Sequence, residues 1–465
     1  MLNQKAILNI RPVEALTITI ILLTAISFSI IKLQLVPHVP VMIAIFLLIL
    51  YGLIKKVKVA DLEAALMDGA KSGLGAVIIF FLIGMLISSW MASGTIPTFI
   101  FLAFELISGK WFYAIVFVVT AIIGLGIGSS LTTAATIGSA FMGVSVAFDL
   151  SLAITAGAVV SGAFFGDKMS PLSDTTTLAS STVNVDLFEH IKNMAWTTVP
   201  AFILSLLLFM ILSPGETGAN FDNAAVVKQE LVKLNLVHWY SLIPFFVLAI
   251  FAIKKIPAFI TLGAGTVTAM VISLFITEKA AWAGLLTSLY SGYTTETQIA
   301  EVASLLSRGG IESMLFSISL VLLALAMGGL LFRLGILQAL LSGIEKSVKK
   351  VSVLISSTVA SSIGINFLLG EQYLSIILTG TMFEPHYRQA GLHPKNLSRA
   401  LEDAGTVINP LVPWSVCGVF LAGVLGVPTF EYAVFAFFCL ISPLLTILAG
   451  LTKISITKLE KKAAA

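Results

Sequence analysis

The sequence predicts an all-α polytopic membrane protein made of two inverted-topology repeats, with paired re-entrant hairpins and broken helices. Three observations predict it. The 465 residues are 58% hydrophobic and only 11% charged, with a mean hydropathy of +1.03, a balance that fits no soluble domain between spans. Landmarks recur in the same order when the chain is laid against itself at a shift of about 240 residues, the internal symmetry of transporter folds. The charges that lie deep in apolar sequence gather at two proline-containing segments, one in each half.

The spans come first. Uncharged stretches at 16–31, 76–91, 199–212 and 315–332 each reach roughly 20 residues with their flanks, enough to cross a bilayer. About twelve such segments, some broken, satisfy the same length rule. The first follows Lys5 and Arg11 but runs too long, without a small-residue cleavage site, to be a signal peptide. The repeat landmarks follow in order. The 61–66 segment falls opposite 301–306, and the helix ending at Gly94 opposite the one ending at Gly335. Residues 124–129 fall opposite 361–366, and Gly166 with Ser170-Pro171-Leu172 opposite Gly405 with Asn409-Pro410-Leu411. The expected division is a first repeat at 1–212, a linker at 213–236, a second repeat at 237–452 and a tail at 453–465.

Basic residues set the orientation. Lys55, Lys56, Lys58 and Lys71, and the tail residues Lys453, Lys458, Lys461 and Lys462, belong inside, so both termini are cytoplasmic. The second-half loop at 277–308, with Glu278, Glu296 and Glu301, reads as external, while Lys254, Lys255 and the 333–350 stretch return inside. Equivalent loops thus fall on opposite faces, which makes the repeats inverted.

Each half also holds a segment too polar and glycine-rich for a lipid-facing helix. Residues 124–138 include Ser129, Ser130, Thr132, Thr133 and Thr136; residues 356–372 include Asn366, Gly370 and Glu371. Non-helical backbone at membrane depth survives only where protein or cavity water satisfies it, so these read as re-entrant hairpins. Their tips, with Ser129, Thr132, Thr133, Asn366 and Glu371, are expected to line a central cavity. Small-residue helix packing is the competing reading.

The run Gly166-Asp167-Lys168-Met169-Ser170-Pro171-Leu172-Ser173-Asp174-Thr175 places two carboxylates in oily sequence. Ionised side chains there normally face a partner, a cavity or an ion path. A hard monovalent cation such as sodium needs several oxygen donors. Asp167 and Asp174 supply charge, Ser170, Ser173, Thr175 and Thr176 supply hydroxyls, and Pro171 is expected to free the carbonyl one turn earlier. The matching stretch offers Glu402, Asp403, Thr406 and Asn409. Desolvation favours the neutral form of a carboxylate, so such a group holds a proton or a cation in alternation, the simplest basis for exchange. Two competing roles are structural: Asp167 paired with Lys168, and Asp174 capping a helix that starts at Thr175.

Other classes are excluded by what the sequence contains. A net charge of +3 concentrated near helix ends speaks to topology and not to nucleic acid. Cys417 and Cys439 lie in apolar runs as buried thiols, and His38, His190, His238, His386 and His393 are scattered near helix ends. Nucleotide-binding and hydrolase patterns are missing with their required strand context, so no enzyme is expected.

The segment from Gly162 to Thr176, Gly162-Ala163-Phe164-Phe165-Gly166-Asp167-Lys168-Met169-Ser170-Pro171-Leu172-Ser173-Asp174-Thr175-Thr176, resembles the NhaC family of bacterial sodium/proton antiporters, and Glu402-Asp403-Ala404-Gly405-Thr406-Val407-Ile408-Asn409-Pro410-Leu411-Val412-Pro413-Trp414 resembles its second signature. The resemblance covers nearly the whole chain. It implies a multi-pass secondary transporter of the cytoplasmic membrane that carries sodium ions and protons and needs no cofactor. Relatives of that family include malate/lactate exchangers coupled to sodium and protons, so the resemblance leaves open a small carboxylate as a further partner. Against that reading, no arginine sits in either hairpin tip. Thr177 stands where many members have Asn, which removes one amide ligand. A scaffold helix crossing the bilayer could supply a homodimer face.

Overall fold

The computed structural model describes residues 6–106, 111–214, 221–295, 297, 299, 302–303, 306–345 and 350–459. Among them the chain is helical, and one bridge between Leu392 and Lys458 is the extent of its strand pairing. Seven helices among the described residues are long and apolar enough to cross a membrane, or eight if the bent pair Lys395–Leu411 and Val416–Leu425, which turns by 47°, counts as one span. Shorter apolar helices such as His38–Ile54, Phe112–Ile127 and Phe437–Thr452 accompany them. That count of seven or eight is fewer than the roughly twelve segments expected, because several apolar helices are short or interrupted.

Burial separates periphery from centre. In Pro12–Ile31, Leu16, Ile20, Phe28 and Ile31 are exposed while Ala15, Leu22 and Ile26 are buried, as in a helix apolar all round with one face to lipid. Only 28% of that span is buried, against 89% of Ser130–Ala147, so the latter is an inner element.

Two glycine turns shape the interior. Phe112–Ile127 ends at Gly128 with φ +71°, and Ser129 caps the next helix by accepting the Thr132 N–H at 3.4 Å. Val351–Leu369 ends at Gly370 with φ +66°, and Glu371 caps Gln372–Gln389 by accepting the Leu374 N–H at 2.7 Å. The left-handed conformation is what selects glycine. Gly94 and Gly335 form another such pair, at φ +74° and +77°. The first hairpin's turn thus corresponds to Gly370-Glu371, and not to Ile365-Asn366 as the sequence shift suggested; Asn366 lies one turn before the break.

Close packing explains other glycines. A Cβ on Gly166 would fall 2.6 Å from the Ala121 carbonyl oxygen, and one on Gly162 2.5 Å from that of Phe117. Phe112–Ile127 and Leu152–Met169 therefore meet backbone to backbone, as small residues permit in membrane helices. The small-residue reading holds for Gly124, whose Cβ would lie 3.3 Å from the Gly166 Cα, while Gly128 makes the break.

The described part of the segment expected as a linker, 213–236, includes the helix Phe221–Lys233. The tail is not free: His393 donates its N–H to the Thr457 carbonyl at 3.0 Å, Leu459 to that of Gly391 at 2.8 Å, and Arg399 reaches the Ser455 Oγ at 2.9 Å. Glu296, Glu301, Lys461 and Lys462, used above for topology, lie outside the described residues.

Candidate functional site

The first break begins where Leu152–Met169 meets Pro171. Proline cannot donate to the Asp167 carbonyl, but the Ser170 N–H takes that oxygen at 3.0 Å, and Thr176 Oγ1 donates to the Lys168 carbonyl at 3.0 Å. The carbonyl expected to be free for a cation is thus already occupied. Ser173 caps the helix Asp174–Thr182 by accepting the Thr176 N–H at 3.4 Å. Asp174 is consequently not the cap. It lies in the first turn, exposed, with its charge at the positive end of the helix dipole.

Asp167 is 5% exposed and accepts a hydrogen bond from Ser130 Oγ at 2.7 Å. Lys168 points elsewhere. Its ammonium pairs with Asp403, both side chains fully buried, and donates to Ser442 Oγ at 2.9 Å. Asp403 also accepts from Ser442 at 2.7 Å, from Thr197 at 2.8 Å and from Thr446. The structural pairing considered for Asp167 belongs to Asp403, which is fully engaged and has no room for a transported ion.

Glu402, one residue away, is the opposite case. It is fully buried, and among the described residues neither of its carboxylate oxygens, nor Oγ1 of Thr406, has a hydrogen-bond partner. The Thr406 and Thr175 hydroxyls stand close to the carboxylate without closing a hydrogen bond of ordinary geometry, and Asp167 and Lys168 are its charged neighbours. Both Glu402 and Thr406 belong to the π-helical turn Glu402–Thr406, a distortion that recurs at functional sites.

The remaining expected residues divide between wall and staple. The Ser173 and Thr175 hydroxyls lie 3.0 Å apart, and Ser170 Oγ accepts the Leu172 N–H at 3.2 Å. Asn409 Nδ2 donates to Asn366 Oδ1 at 2.8 Å, Asn366 Nδ2 donates to the Gly405 carbonyl at 2.7 Å, and Asn409 Oδ1 accepts the Cys417 N–H at 2.9 Å. These amides join the second hairpin to the second break, in place of the cavity role expected for Asn366 and the ion-binding role expected for Asn409. Thr133 also turns inward, donating to the Ser129 carbonyl at 2.8 Å.

A cavity of about 740 Å³ is lined by Ser129, Thr132, Asp167, Asp174, Thr175 and Gln372, with Lys255 on its wall. A neighbouring one of about 530 Å³ shares Ser129, Thr132, Asp174 and Gln372 and adds Glu371. Both hairpin turns and the first break therefore converge. Gln372 and Tyr373, which line both spaces, and Lys255 escaped the sequence reading. The polar run Glu371-Gln372 after a glycine was the available clue; Lys255 looked like an ordinary loop charge. Among the described residues no three His, Cys, Asp or Glu side chains gather as a metal site. The arrangement suits a monovalent cation held by one or two carboxylates with hydroxyl and amide oxygens.

A family model described as "Na+/H+ antiporter family" matches residues 162–454. The Na(+)/H(+) antiporter NhaC of Alkalihalophilus pseudofirmus is 39% identical over 443 residues, 95% of this chain and 96% of that protein. The protein of the same name from Bacillus subtilis is 39% identical over 420 residues, 90% and 92% of the two chains. The malate-2H(+)/Na(+)-lactate antiporter of Bacillus subtilis is 33% identical over 416 residues, 88% and 87%.

Proposed function

The chain belongs to the Na+/H+ antiporter family, and from that premise we propose that it exchanges sodium for protons across the cytoplasmic membrane of a bacterium, as a secondary transporter and not an enzyme. The observation that carries the mechanism is the arrangement of three carboxylates: Asp174 exposed at the cavity, Asp167 buried on its wall, and Glu402 fully buried with no hydrogen bond of ordinary geometry among the described residues. An ionised carboxylate out of water is costly unless something neutralises it. Sodium on Asp174 and Asp167, helped by the Ser129, Thr132 and Thr175 oxygens, is one way; a proton is the other. Each loaded form is close to neutral and can move across, whereas the empty charged form cannot. Glu402, an electrostatic neighbour of Asp167, is the second carboxylate that must be neutralised, and in this reading it takes the proton.

Alternating access then comes from movement of the hairpins and breaks against the outer helices, in two repeats at 1–212 and 237–452 joined by the 213–236 linker. The paired glycine turns, each pair about 240 residues apart, support that division. The test is proton movement in proteoliposomes of purified protein under an imposed pH gradient. Sodium alone should collapse the gradient; failure of sodium to do so overturns the reading.

A second reading, sodium-coupled exchange of a small carboxylate, is favoured by Lys255 on the wall of a cavity far larger than a sodium ion. In that case the gradient collapses only when malate or lactate is added with sodium.

A further inference from the structure

We infer that a second binding site, apart from the ion cavity, takes one small inorganic monovalent anion of the chloride class, held by Arg308. A cavity of about 490 Å³ opens where the 277–308 loop, read above as external, meets the start of the spanning helix Ile311–Arg333. It shares no lining residue with either cavity at the hairpin turns. Arg308 lines it, half-buried, and among the described residues its guanidinium has neither an ion pair nor a hydrogen bond. A cation drawn partly out of water without a counter-charge is costly, and the apolar side chains of Ile87, Met314 and Val424 on the same wall add to that cost. An anion entering from solution removes it.

The loop holds the charge in place. Gly309 and Gly310 have φ of +84° and +83°, and a Cβ on either would collide with backbone, at Ser88 for Gly309 and at Gly292 for Gly310. The Gly310 N–H donates to the Gly84 carbonyl at 2.7 Å, and the Arg308 carbonyl accepts the Tyr293 N–H at 3.2 Å. The backbone that carries the guanidinium is therefore fixed before a ligand arrives, which lowers the ordering cost of binding.

The helix that follows adds to the same polarity. Gly310 stands at the N-cap of Ile311–Arg333 and has no side chain to cap the first turn, so the N–H groups there keep their positive end. Glu312 and Ser313, in that turn, line the cavity. Ser313 and Ser139 already give their protons to the Gly310 and Ala135 carbonyls, at 2.7 and 2.9 Å, which leaves the guanidinium as the principal donor. Glu312, exposed, is the opposing charge, and among the described residues it makes no ion pair with Arg308. One guanidinium and a helix end against one carboxylate can neutralise a single negative charge and not two, which selects monovalent ions over sulfate.

The experiment is line broadening of the chloride NMR signal by the purified full-length protein in an uncharged detergent, with sodium gluconate as the background salt. The protein should broaden the chloride line, thiocyanate should restore it, and sulfate at equal ionic strength should leave it broad. Arg308→Gln should weaken chloride binding by about tenfold or more, as loss of a hydrogen bond to a charged group does. Glu312→Gln, which removes the opposing charge and keeps the shape, should tighten it about two- to fivefold, and decides the matter if Arg308→Gln does not give folded protein. Absence of excess broadening, equal displacement by sulfate, or chloride affinity unchanged in either variant would each overturn the inference. Because the readout is binding and not transport, the anion site stands or falls apart from the exchange reading.

Discussion

The two breaks in the chain, at 170–173 and 402–415, use the same ingredients in opposite states of satisfaction. In the first, backbone and hydroxyl donors close the gaps that Pro171 opens, and the carboxylates are left for the cavity: Asp167 has the Ser130 hydroxyl and Asp174 stands exposed. In the second, two adjacent carboxylates part company. Asp403 collects an ammonium and three hydroxyls, while Glu402 closes no hydrogen bond of ordinary geometry among the described residues. Acidity by itself does not mark an ion site; an unmet need does.

The largest effect that would break this contrast is Lys168→Met. It leaves Asp403 buried and unpaired, which should cost about 3–5 kcal/mol and show as a lowered melting temperature in detergent. Lys168→Met with Asp403→Leu should recover most of that loss; equal damage in the double variant would mean that the pair is not what holds the two breaks together. Asp174→Asn should leave insertion and melting intact and lower exchange by about 10²-fold or more. Normal sodium-dependent proton flux there would remove Asp174 from the mechanism.

Ser130→Ala withdraws the donor from Asp167 and should weaken apparent sodium affinity by about 1.5–3 kcal/mol, the worth of a hydrogen bond to a charged group. The glycine turns sharpen the comparison further. Gly128→Ala should destabilise by about 1–2 kcal/mol plus a clash, because a Cβ there would lie 2.7 Å from that of Leu172, whereas at Gly370 the nearest atom is 3.2 Å away. Gly370→Ala should therefore be milder in the same melting assay. The smallest change in stability belongs to Glu402→Gln, about 0.5 kcal/mol or less, since no hydrogen bond is lost. Its exchange should nonetheless lose its normal pH dependence, and an unchanged pH profile would exclude Glu402 as a proton holder.

Hydropathy and the recurrence of glycine and proline made the helical membrane fold, the two polar turns and the first break legible before any coordinates. Side-chain direction was not. Nothing in the order Asp167-Lys168 says that the ammonium turns to a carboxylate 235 residues away, and nothing in Glu402-Asp403 says which is satisfied, because helical neighbours point in different directions. Asn366 illustrates the same limit: an amide near a turn suits a ligand or a staple equally, and only its contacts with Gly405 and Asn409 decide. Gln372 closes the polar run that ends the 356–372 segment, and the sequence does not say that its side chain lines the cavity beyond the turn.

The seam formed by Gly162 and Gly166 against Phe112–Ile127 has a mechanical consequence. Side chains that interdigitate can slide past one another by changing rotamers; backbones in direct contact have no such slack. The incoming limb of the first hairpin and the helix that carries Asp167 behave as a single plank, so the turn and the carboxylate travel together and the distance between them is not a variable of the cycle.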